Sequence, residues 1–433
     1  MIGKRLLMLG TAAMTATVLG CSNQGGGGTG DAGKSPEAVK PPEPVVLNIL
    51  APESYFPGTD FQTLLAEPVK KKYPHITLEK VTGSLLDILA AREPLDFWVS
   101  YNGELSNHLD KGIYLDLIPL ARKHNFDLNR FDQGALNVIK QYSDKGELFA
   151  LPYAENVVGL YYNKDIFDKF GVAYPKDGMT WDEAIELAGK VSRQDGGVTY
   201  YGLQSTALSL IAQLSLPYID YKTEAVLVNS EPYKKAFELG KRIVSIPNNP
   251  YLGTYQTMYD QFMKHKTVAM LAPQGNLFSM LKGVPELNWD VVQKPFYQEL
   301  PGISGWYNLH LLIPTKMSKH PDDLMRVMEV LFSDEVQTGM VRKTARKSTL
   351  SDPKYIQMFG ADMPELKGKN VTGIFKGKSG PAPQLSRHFS KATSLMDAEF
   401  TKVAKGQTDV NTALRDLEDQ IRQYIASQDH PKK

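Results

Sequence analysis

A stretch near the middle of the chain runs from residue 147 to residue 167 and reads ELFALPYAENVVGLYYNKDIF. Residues 148–151 predict a short buried strand that ends at Pro152, because proline cannot donate to a central sheet ladder. Residues 157–162 are rich in β-branched and aromatic side chains and predict a second strand. The short connection carries Tyr153, Ala154, Glu155 and Asn156. Hydrogen-bonding side chains held between two strands are typical of a ligand site, and an ordinary turn is the alternative.

The chain before this stretch alternates predicted strands and helices. Strands are predicted at residues 45–50, 76–81 and 95–100, and helices at residues 60–72 and 84–92. This order predicts a parallel sheet with right-handed crossovers. Ligands bind beyond the carboxyl ends of the strands in such sheets. The loop at Glu53 and the loop at residues 101–104 are therefore expected to face a site.

The chain after this stretch repeats the pattern. Thr180 and Glu183 predict a capping box, in which each side chain bonds to the other residue's backbone amide. Further elements are predicted as strands at residues 200–204, 268–271 and 309–313 and as helices at residues 233–245, 322–332 and 409–426. The loop at residues 272–276 and the segment at residues 305–308 adjoin buried strands and are expected at the same site.

The first 44 residues differ in composition from the rest. Residues 1–20 contain Lys4 and Arg5 before an apolar run, which predicts a secretory signal peptide. The sequence Leu-Gly-Cys that follows resembles the lipobox of bacterial lipoproteins and implies that Cys21 is lipidated. The alternative is a signal peptide that is cut elsewhere, with Cys21 discarded. Residues 21–44 are rich in glycine and proline and predict a disordered tether.

Composition narrows the class of protein. The roughly 390 residues after the tether are too many for one core and predict two domains. The formal net charge is +1, so we expect no nucleic-acid partner. Cys21 is the only cysteine in the sequence, which excludes an intrachain disulfide and any site that needs two thiols. After residue 20, no apolar run is long enough to span a bilayer.

Common catalytic and metal-binding motifs are absent from the sequence. Residues 373–379 are one residue short of a phosphate-binding loop, and Pro381 and Pro383 exclude the helix that such a loop needs. No Gly-x-Ser-x-Gly nucleophile elbow occurs. The eight histidines include no pair at the i,i+4 spacing of zinc sites. We therefore expect no metal, no cofactor and no catalytic residue.

Several segments carry a family resemblance. They are GELFALPY and GLYYNKDIFDKFGV around the central stretch, LDFW at residues 95–98, DKG at residues 110–112, KTVAM at residues 266–270 and LIP at residues 312–314. In this order they resemble ABC-transporter extracellular solute-binding proteins, family 1. That is the family of maltose- and oligosaccharide-binding proteins, and the resemblance covers residues 45–425.

The resemblance implies an α/β fold with two lobes, the type II periplasmic-binding-protein fold. Each lobe would hold a mixed, mostly parallel sheet flanked by helices, and the lobes would be hinged around a central cleft. Lobe one would comprise residues 45–153 and 296–335, and lobe two residues 154–292 and 336–433. The implied partners are a carbohydrate ligand and the permease subunits of an ABC importer, and the implied state is a monomer.

The residue types expected at the site suit a sugar. Aromatic faces pack against sugar C–H groups, while amide and carboxylate side chains pair with hydroxyls. The candidate ligand-binding residues are Glu53, Trp98, Tyr101, Asn102, Tyr153, Glu155, Asn156, Gln274, Asn276 and Trp306. Within the resemblance, Trp98 matches a binding tryptophan of maltose-binding proteins. Asn156, or its neighbour Glu155, matches a glutamate in their cleft.

The sequence also departs from the family pattern. Tyr101 and Asn102 stand where the family often has an acidic and a basic binding residue. Asn276 stands where maltose-binding proteins have a stacking tryptophan. These departures argue against maltodextrin specificity and leave the expected location of the site unchanged. Core packing is the alternative role for Trp98 and Trp306.

The sequence thus predicts a lipid-anchored solute-binding protein of an ABC importer, which closes two lobes on a sugar or oligosaccharide without chemistry. Cys21 would hold it at the extracytoplasmic face of the cell membrane. Three alternatives stay open. The first is a secreted glycan-cleaving enzyme that uses Glu53 and Glu155, whose carboxyl groups would need to lie about 5–9 Å apart. The others are a binder of peptides or another polar solute, and a structural surface lipoprotein.

Overall fold

The structure is a computed structural model that describes residues 42–429. The predicted signal peptide, the lipidation site at Cys21 and nearly all of the predicted tether lie outside the described residues. Within the described part, no helix is both long and apolar enough to cross a membrane.

Strands and helices alternate along the chain. The strands are β1 Val45–Leu50, β2 Ile76–Val81, β3 Phe97–Tyr101, β4 Leu151–Glu155, β5 Gly159–Asn163, β6 Arg193–Asp195, β7 Val198–Ser205, β8 Val268–Ala272, β9 Trp289–Gln293, β10 Ile303–Trp306, β11 Leu309–Pro314 and β12 Lys378–Gly380. The α-helices are α1 Gly58–Phe61, α2 Glu67–Lys72, α3 Leu85–Ala91, α4 Leu117–Lys123, α5 Gln133–Lys140, α6 Lys164–Phe170, α7 Trp181–Val191, α8 Ala207–Gln213, α9 Glu231–Val244, α10 Tyr255–Met263, α11 Phe278–Leu281, α12 Pro321–Leu331, α13 Asp334–Thr344, α14 Lys354–Gln357, α15 Phe389–Ala404 and α16 Val410–Asp429. A π-helical turn, Gln62–Ala66, joins α1 to α2, and the 3₁₀ segments are Asn102–Lys111, Leu128–Arg130, Pro364–Leu366 and Val371–Lys376.

The first sheet has the strand order β2-β1-β3-β11-β4. β1 pairs in parallel with β2 and β3, while β11 is antiparallel to β3 and β4. Leu47 and Ile49 alternate along β1 and are fully buried, which explains why this strand forms. The Ser84 hydroxyl accepts the backbone N–H of Asp87 and begins α3 in the crossover from β2 to β3. The predicted strand-helix order of this region is confirmed.

The second sheet has the strand order β6-β7-β8-β5-β9, and β7 with β8 is its parallel pair. The predicted capping box of Thr180 and Glu183 is present at the start of α7. Both sheets are mixed, as predicted, but the prediction of mostly parallel pairing is wrong. Strands β4, β5, β9 and β11 carry the chain between the sheets, and each pairs with a neighbour that runs in the opposite direction.

The central stretch differs from its prediction. The strand does not end at Pro152, because β4 runs from Leu151 through Pro152 to Glu155. Proline is tolerated there because β4 is an edge strand and its register with β11 shifts between His310 and Leu311. Tyr153, Ala154 and Glu155, which were predicted to lie in the connection, therefore belong to β4. Residues 156–158 connect β4 to β5.

Separate apolar cores cover the two sheets. One core lies on the first sheet and takes in α12 and α13, whereas α15 and α16 pack with α9 in a core of the second sheet. Val336, Met340 and Leu350 belong to the first core. Assigning all of residues 336–433 to lobe two was therefore wrong for these residues, because α13 follows α12 directly and extends the same apolar face. The other lobe limits stay predictions.

Candidate functional site

The chain passes from the first sheet to the second at the end of β4. Glu155 is only 2% exposed there. Its backbone N–H donates to the carbonyl oxygen of Lys347 at 2.8 Å. Its carboxylate accepts hydrogen bonds from the Lys347 ammonium and the Ser379 hydroxyl. Glu155 therefore ties this crossing point to two later segments of the chain.

Three predicted loops meet beside this crossing point. The Asn156 side-chain oxygen accepts from the backbone N–H of Asn276 at 3.2 Å and from its side-chain Nδ2 at 2.6 Å. The backbone N–H of Asn156 donates to the carbonyl of Asn308 at 2.8 Å. The connection after β4, the loop after β8 and the segment before β11 are thus brought together, although they lie far apart in sequence.

Gln274 follows β8 and points into the same region. The residue is 8% exposed, and neither Oε1 nor Nε2 has a hydrogen-bond partner in the part of the chain that the structure describes. A Cβ at Gly305 would lie 3.7 Å from Nε2, so the missing side chain of Gly305 leaves space beside the amide. A buried amide without partners costs about 1–3 kcal/mol. The amide therefore keeps an unused donor and an unused acceptor in the interior beside Gly305.

A groove of about 900 Å³ is lined by residues of both lobes. Its walls include Glu104, Ser106 and His108 from the first lobe and Glu224, Arg387 and His388 from the second. The Ser106 hydroxyl and Nδ1 of His108 are buried and have no hydrogen-bond partner among residues 42–429. This volume lies within the range of small-molecule sites. The groove is therefore large enough to hold a small solute.

Aromatic rings stand at the carboxyl ends of β1 and β3. Tyr55 and Tyr101 stack with their ring centroids 5.8 Å apart. Burial, and then the charge of Glu104, raises the pKa of both hydroxyls. The Tyr101 hydroxyl also lies beside Ser390 of α15, in the other lobe. His310 meets the edge of Tyr55 at 5.6 Å, and burial, with the nearby cationic Arg346, lowers its pKa to about 3. Its imidazole is therefore neutral at physiological pH.

Two predicted aromatic site residues lie in the packed interior of the first lobe. Trp98 packs edge-on against His108, with the ring centroids 5.1 Å apart. Tyr153 is fully buried, and its hydroxyl donates to the Tyr55 carbonyl at 2.9 Å. Each supports a residue of the cleft, since His108 lines the groove and Tyr55 carries the aromatic stack. Direct contact of either with a ligand stays a prediction.

Asn102 and Trp306 are also buried. The Asn102 side-chain oxygen accepts the backbone N–H of Leu309 at 2.9 Å, which ties the segment after β3 to the start of β11. Trp306 lies in β10, with its ring 6.4 Å from that of Phe389 at the start of α15. Asn102 thus has a structural role, and Trp306 lies beside the wall of the cleft.

Glu53 is exposed, and its carboxylate accepts from the Lys80 ammonium and from the backbone N–H of Gly58 at 2.9 Å. The bond to Lys80 and then the bond to Gly58 lower the Glu53 pKa. A general acid of a glycosidase needs a raised pKa. Its partner in the enzyme alternative, Glu155, is engaged by Lys347 and Ser379. This carboxylate pair is therefore not arranged for glycan cleavage.

The sequence did not identify the second-lobe wall of the groove. Arg387 and His388 immediately precede α15, whose apolar residues Ala392, Met396 and Phe400 recur at helical spacing. From this apolar spacing, a helix that begins just after His388 could have been predicted from the sequence. In the described part of the chain, no group of three or more His, Cys, Asp or Glu side chains is placed to hold a metal ion.

Two lobes that face a groove lined by aromatic, amide and carboxylate side chains define a protein that binds a small solute between its lobes. A family model described as bacterial extracellular solute-binding protein matches residues 58–338. The chain belongs to this family. Its members are the solute-binding components of ABC transporters rather than enzymes, which confirms the predicted family and function class.

Curated relatives agree with this assignment. The sn-glycerol-3-phosphate-binding periplasmic protein UgpB of Brucella abortus is 26% identical over an alignment of 329 residues, gaps included, and the alignment covers 67% of this chain and 70% of the relative. The UgpB protein of Agrobacterium fabrum is 35% identical over an alignment of 323 residues, gaps included, and this alignment covers 65% of this chain and 68% of the relative.

Solved structures share the fold. An ABC substrate-binding protein from Listeria monocytogenes in complex with cycloalternan aligns with a TM-score of 0.68 at 18% identity, covering 89% of this chain and 99% of that one. A sugar transporter from Rhizobium etli in an open conformation aligns with a TM-score of 0.70 at 18% identity, covering 87% and 99%. The predicted two-lobe fold is confirmed.

Proposed function

We propose that this protein captures a sugar or oligosaccharide between its lobes and delivers it to the permease of an ABC importer. The observation that carries this proposal is the buried, unpartnered amide of Gln274 beside Gly305. An amide offers both donors and an acceptor, which matches the hydroxyl groups of a sugar. The stacked rings of Tyr55 and Tyr101 add faces for sugar C–H groups.

The charges of the groove argue against a phosphorylated solute. Lys111 is paired with Asp110 at 2.7 Å, and Arg387 with Glu224 at 2.9 Å. Each lysine or arginine that lines the groove within the described chain therefore has a carboxylate partner. Phosphate sites use cations and charge-assisted hydrogen bonds. A neutral polyhydroxylated solute needs no cation and fits these walls better.

The proposal includes the location of the protein. Cys21 would carry the lipid anchor, and residues 22–44 would tether the two lobes to the extracytoplasmic face of the membrane. Stable anchoring takes two signals such as dual acylation, because one acyl chain binds only marginally. A monomer that closes its lobes on the solute would present its rim to the permease.

Calorimetric titration with an oligosaccharide panel tests the site. A ligand at about 100 times its Kd should stabilise the protein by about 2.7 kcal/mol. Gln274→Leu should weaken binding at least tenfold, because hydrogen bonds to a buried group are worth about 1–3 kcal/mol. The exposed Gln298→Ala variant is the control and should bind like the wild type. If no sugar in the panel raises the melting temperature, or if reducing ends are released, the proposal fails.

A further inference from the structure

The groove that both lobes line has apolar side chains on each wall. Leu86 lines it from α3 in the first lobe and is 52% exposed. Tyr424 lines it from α16, which packs in the core of the second lobe, and Tyr221 lines it from the connection between α8 and α9. Both tyrosines are partly exposed. Apolar surface inside a groove with a polar rim is typical of ligand-binding grooves.

Hydrogen-bonding side chains lie among these apolar groups. The Glu104 carboxylate accepts from Nδ2 of Asn107 at 2.6 Å, and both residues line the groove. A carboxylate accepts more than one hydrogen bond, so Glu104 can also accept from a hydroxyl. Gln428, an exposed residue near the end of α16, adds an amide. This mixture suits a sugar chain, whose C–H faces pack on apolar groups while its hydroxyls bond to amides and carboxylates.

The groove lies apart from the amide of the proposed function. Gln274 lies beside Gly305, and Trp306 follows Gly305 in β10. The Trp306 ring is 6.4 Å from that of Phe389, and His388, the residue before Phe389, lines the groove. The rings of Trp306 and Phe389 therefore lie between the two places. A solute that contacts both places must extend past these rings.

The size of the groove points in the same direction. Its volume is about 900 Å³. Sites of about 300–1,000 Å³ hold drug-sized ligands, and one sugar ring is smaller than such a ligand. The groove therefore has room for more than one ring, in addition to a ring at Gln274.

We propose that the solute is an oligosaccharide of at least about three rings. One ring would meet the Gln274 amide, and the further rings would lie in the groove against Leu86, Tyr221 and Tyr424. The inference rests on the proposed function and narrows its solute class from sugars in general to oligosaccharides. It also assigns the groove to the part of the chain that a monosaccharide or disaccharide does not reach.

Calorimetric titration with sugars of increasing length tests this inference. The probes are glucose and the di- to hexasaccharides of the malto, cello and laminari series. In the series that the wild-type protein binds, the tetrasaccharide should bind at least tenfold more tightly than the disaccharide. Leu86→Ser should weaken tetrasaccharide binding at least about threefold, because it removes apolar surface that the solute would cover. It should leave disaccharide binding unchanged.

Matched variants control for effects on folding. Leu227→Ser changes a leucine that is 38% exposed and does not line the groove, and it should bind both lengths like the wild type. Tyr424→Ala should act like Leu86→Ser from the second lobe, and the exposed Gln423→Ala variant of the same helix is its control. Melting curves of the unliganded proteins accompany each titration. Leu86 is exposed, so Leu86→Ser should melt like the wild type.

The outcomes separate this inference from the proposed function. Equal affinity for disaccharide and tetrasaccharide overturns the inference and leaves sugar capture standing. The same holds if Leu86→Ser leaves tetrasaccharide binding unchanged, or weakens both lengths equally. Binding of glycerol 3-phosphate alone, or of none of these probes, overturns both.

Discussion

At Gln274, Asp397 and Lys294 the protein buries polar or charged groups without enough partners, and each costs stability. The Gln274 amide lies beside Gly305, where the solute of our proposed function would supply the missing partners. Lys294 does not line the groove: it is 0% exposed just after β9, and its ammonium donates to the carbonyl of Ser209 at 2.9 Å. Burial lowers its pKa to about 7. This lysine therefore makes the stability of the protein depend on pH.

The sign of this dependence follows from the two pKa values. An unfolded lysine titrates near 10.4, so between pH 7 and pH 10.4 the unfolded chain binds the extra proton and stability rises with pH. Lys294→Met should therefore stabilise the protein most at pH 7, by up to roughly 5 kcal/mol, since each pKa unit is worth roughly 1.4 kcal/mol. Urea unfolding at pH 7 and pH 9.5 measures the gain.

The exposed Lys282→Met variant is the control and should change stability little at either pH. A gain from Lys294→Met of the same size at both pH values would contradict this account. It would show that the methionine improves packing and that the charge of Lys294 carries no penalty.

Among the elements, those with a strong apolar pattern could be predicted from the sequence. β1, β2 and β8 were predicted within a residue of their ends, because their inward side chains are apolar and turn residues flank them. The end of the strand at Pro152 was wrong because a shifted register on an edge strand tolerates proline. The parallel pair β10 and β12 joins short segments far apart in sequence, which local patterns do not reveal.

The site was predictable to the same extent. Gln274 and Asn276 follow β8, whose end was predicted to within a residue, whereas Asn156 follows β4, whose end was not, and meets Asn276 through a hydrogen bond between their side chains. Arg387 could not be found in this way. It lines the groove because α15, which it precedes, docks on α9, where Phe400 packs against Phe237 with ring centroids 5.4 Å apart. Such docking depends on tertiary contacts rather than on local sequence.

The Asn102→Ala variant distinguishes a residue that contacts the ligand from a residue that holds two elements of the fold together. The sequence predicts that Asn102→Ala weakens binding and leaves the melting temperature nearly unchanged. The structure predicts a loss of about 1–3 kcal/mol in the free energy of unfolding, because the backbone N–H of Leu309 would lose its buried acceptor. Denaturant unfolding beside the exposed control Asn411→Ala measures this loss. Unchanged stability together with tenfold weaker binding would instead show that Asn102 contacts the ligand.

In the whole molecule, contacts of two kinds connect the lobes. At the crossing point, the backbone of Glu155 bonds to that of Lys347 at 2.8 Å. Across the cleft, side chains such as Tyr101 and Ser390 lie side by side without backbone pairing. Opening of the lobes would separate the side chains and leave the backbone bonds intact. This division of contacts suits hinge motion around a solute.

In our proposal, a lipid anchor on Cys21 holds the protein at the membrane. This cysteine follows an apolar signal and precedes a glycine-rich segment, so Cys21→Ser should release protein that still folds and binds its solute. Fractionation of cells that express the variant should recover it outside the membrane pellet, with the melting temperature of the wild type. Ser22→Ala keeps the cysteine and should stay in the pellet. If Cys21→Ser also stays there after a salt wash, another part of the chain holds the protein at the membrane.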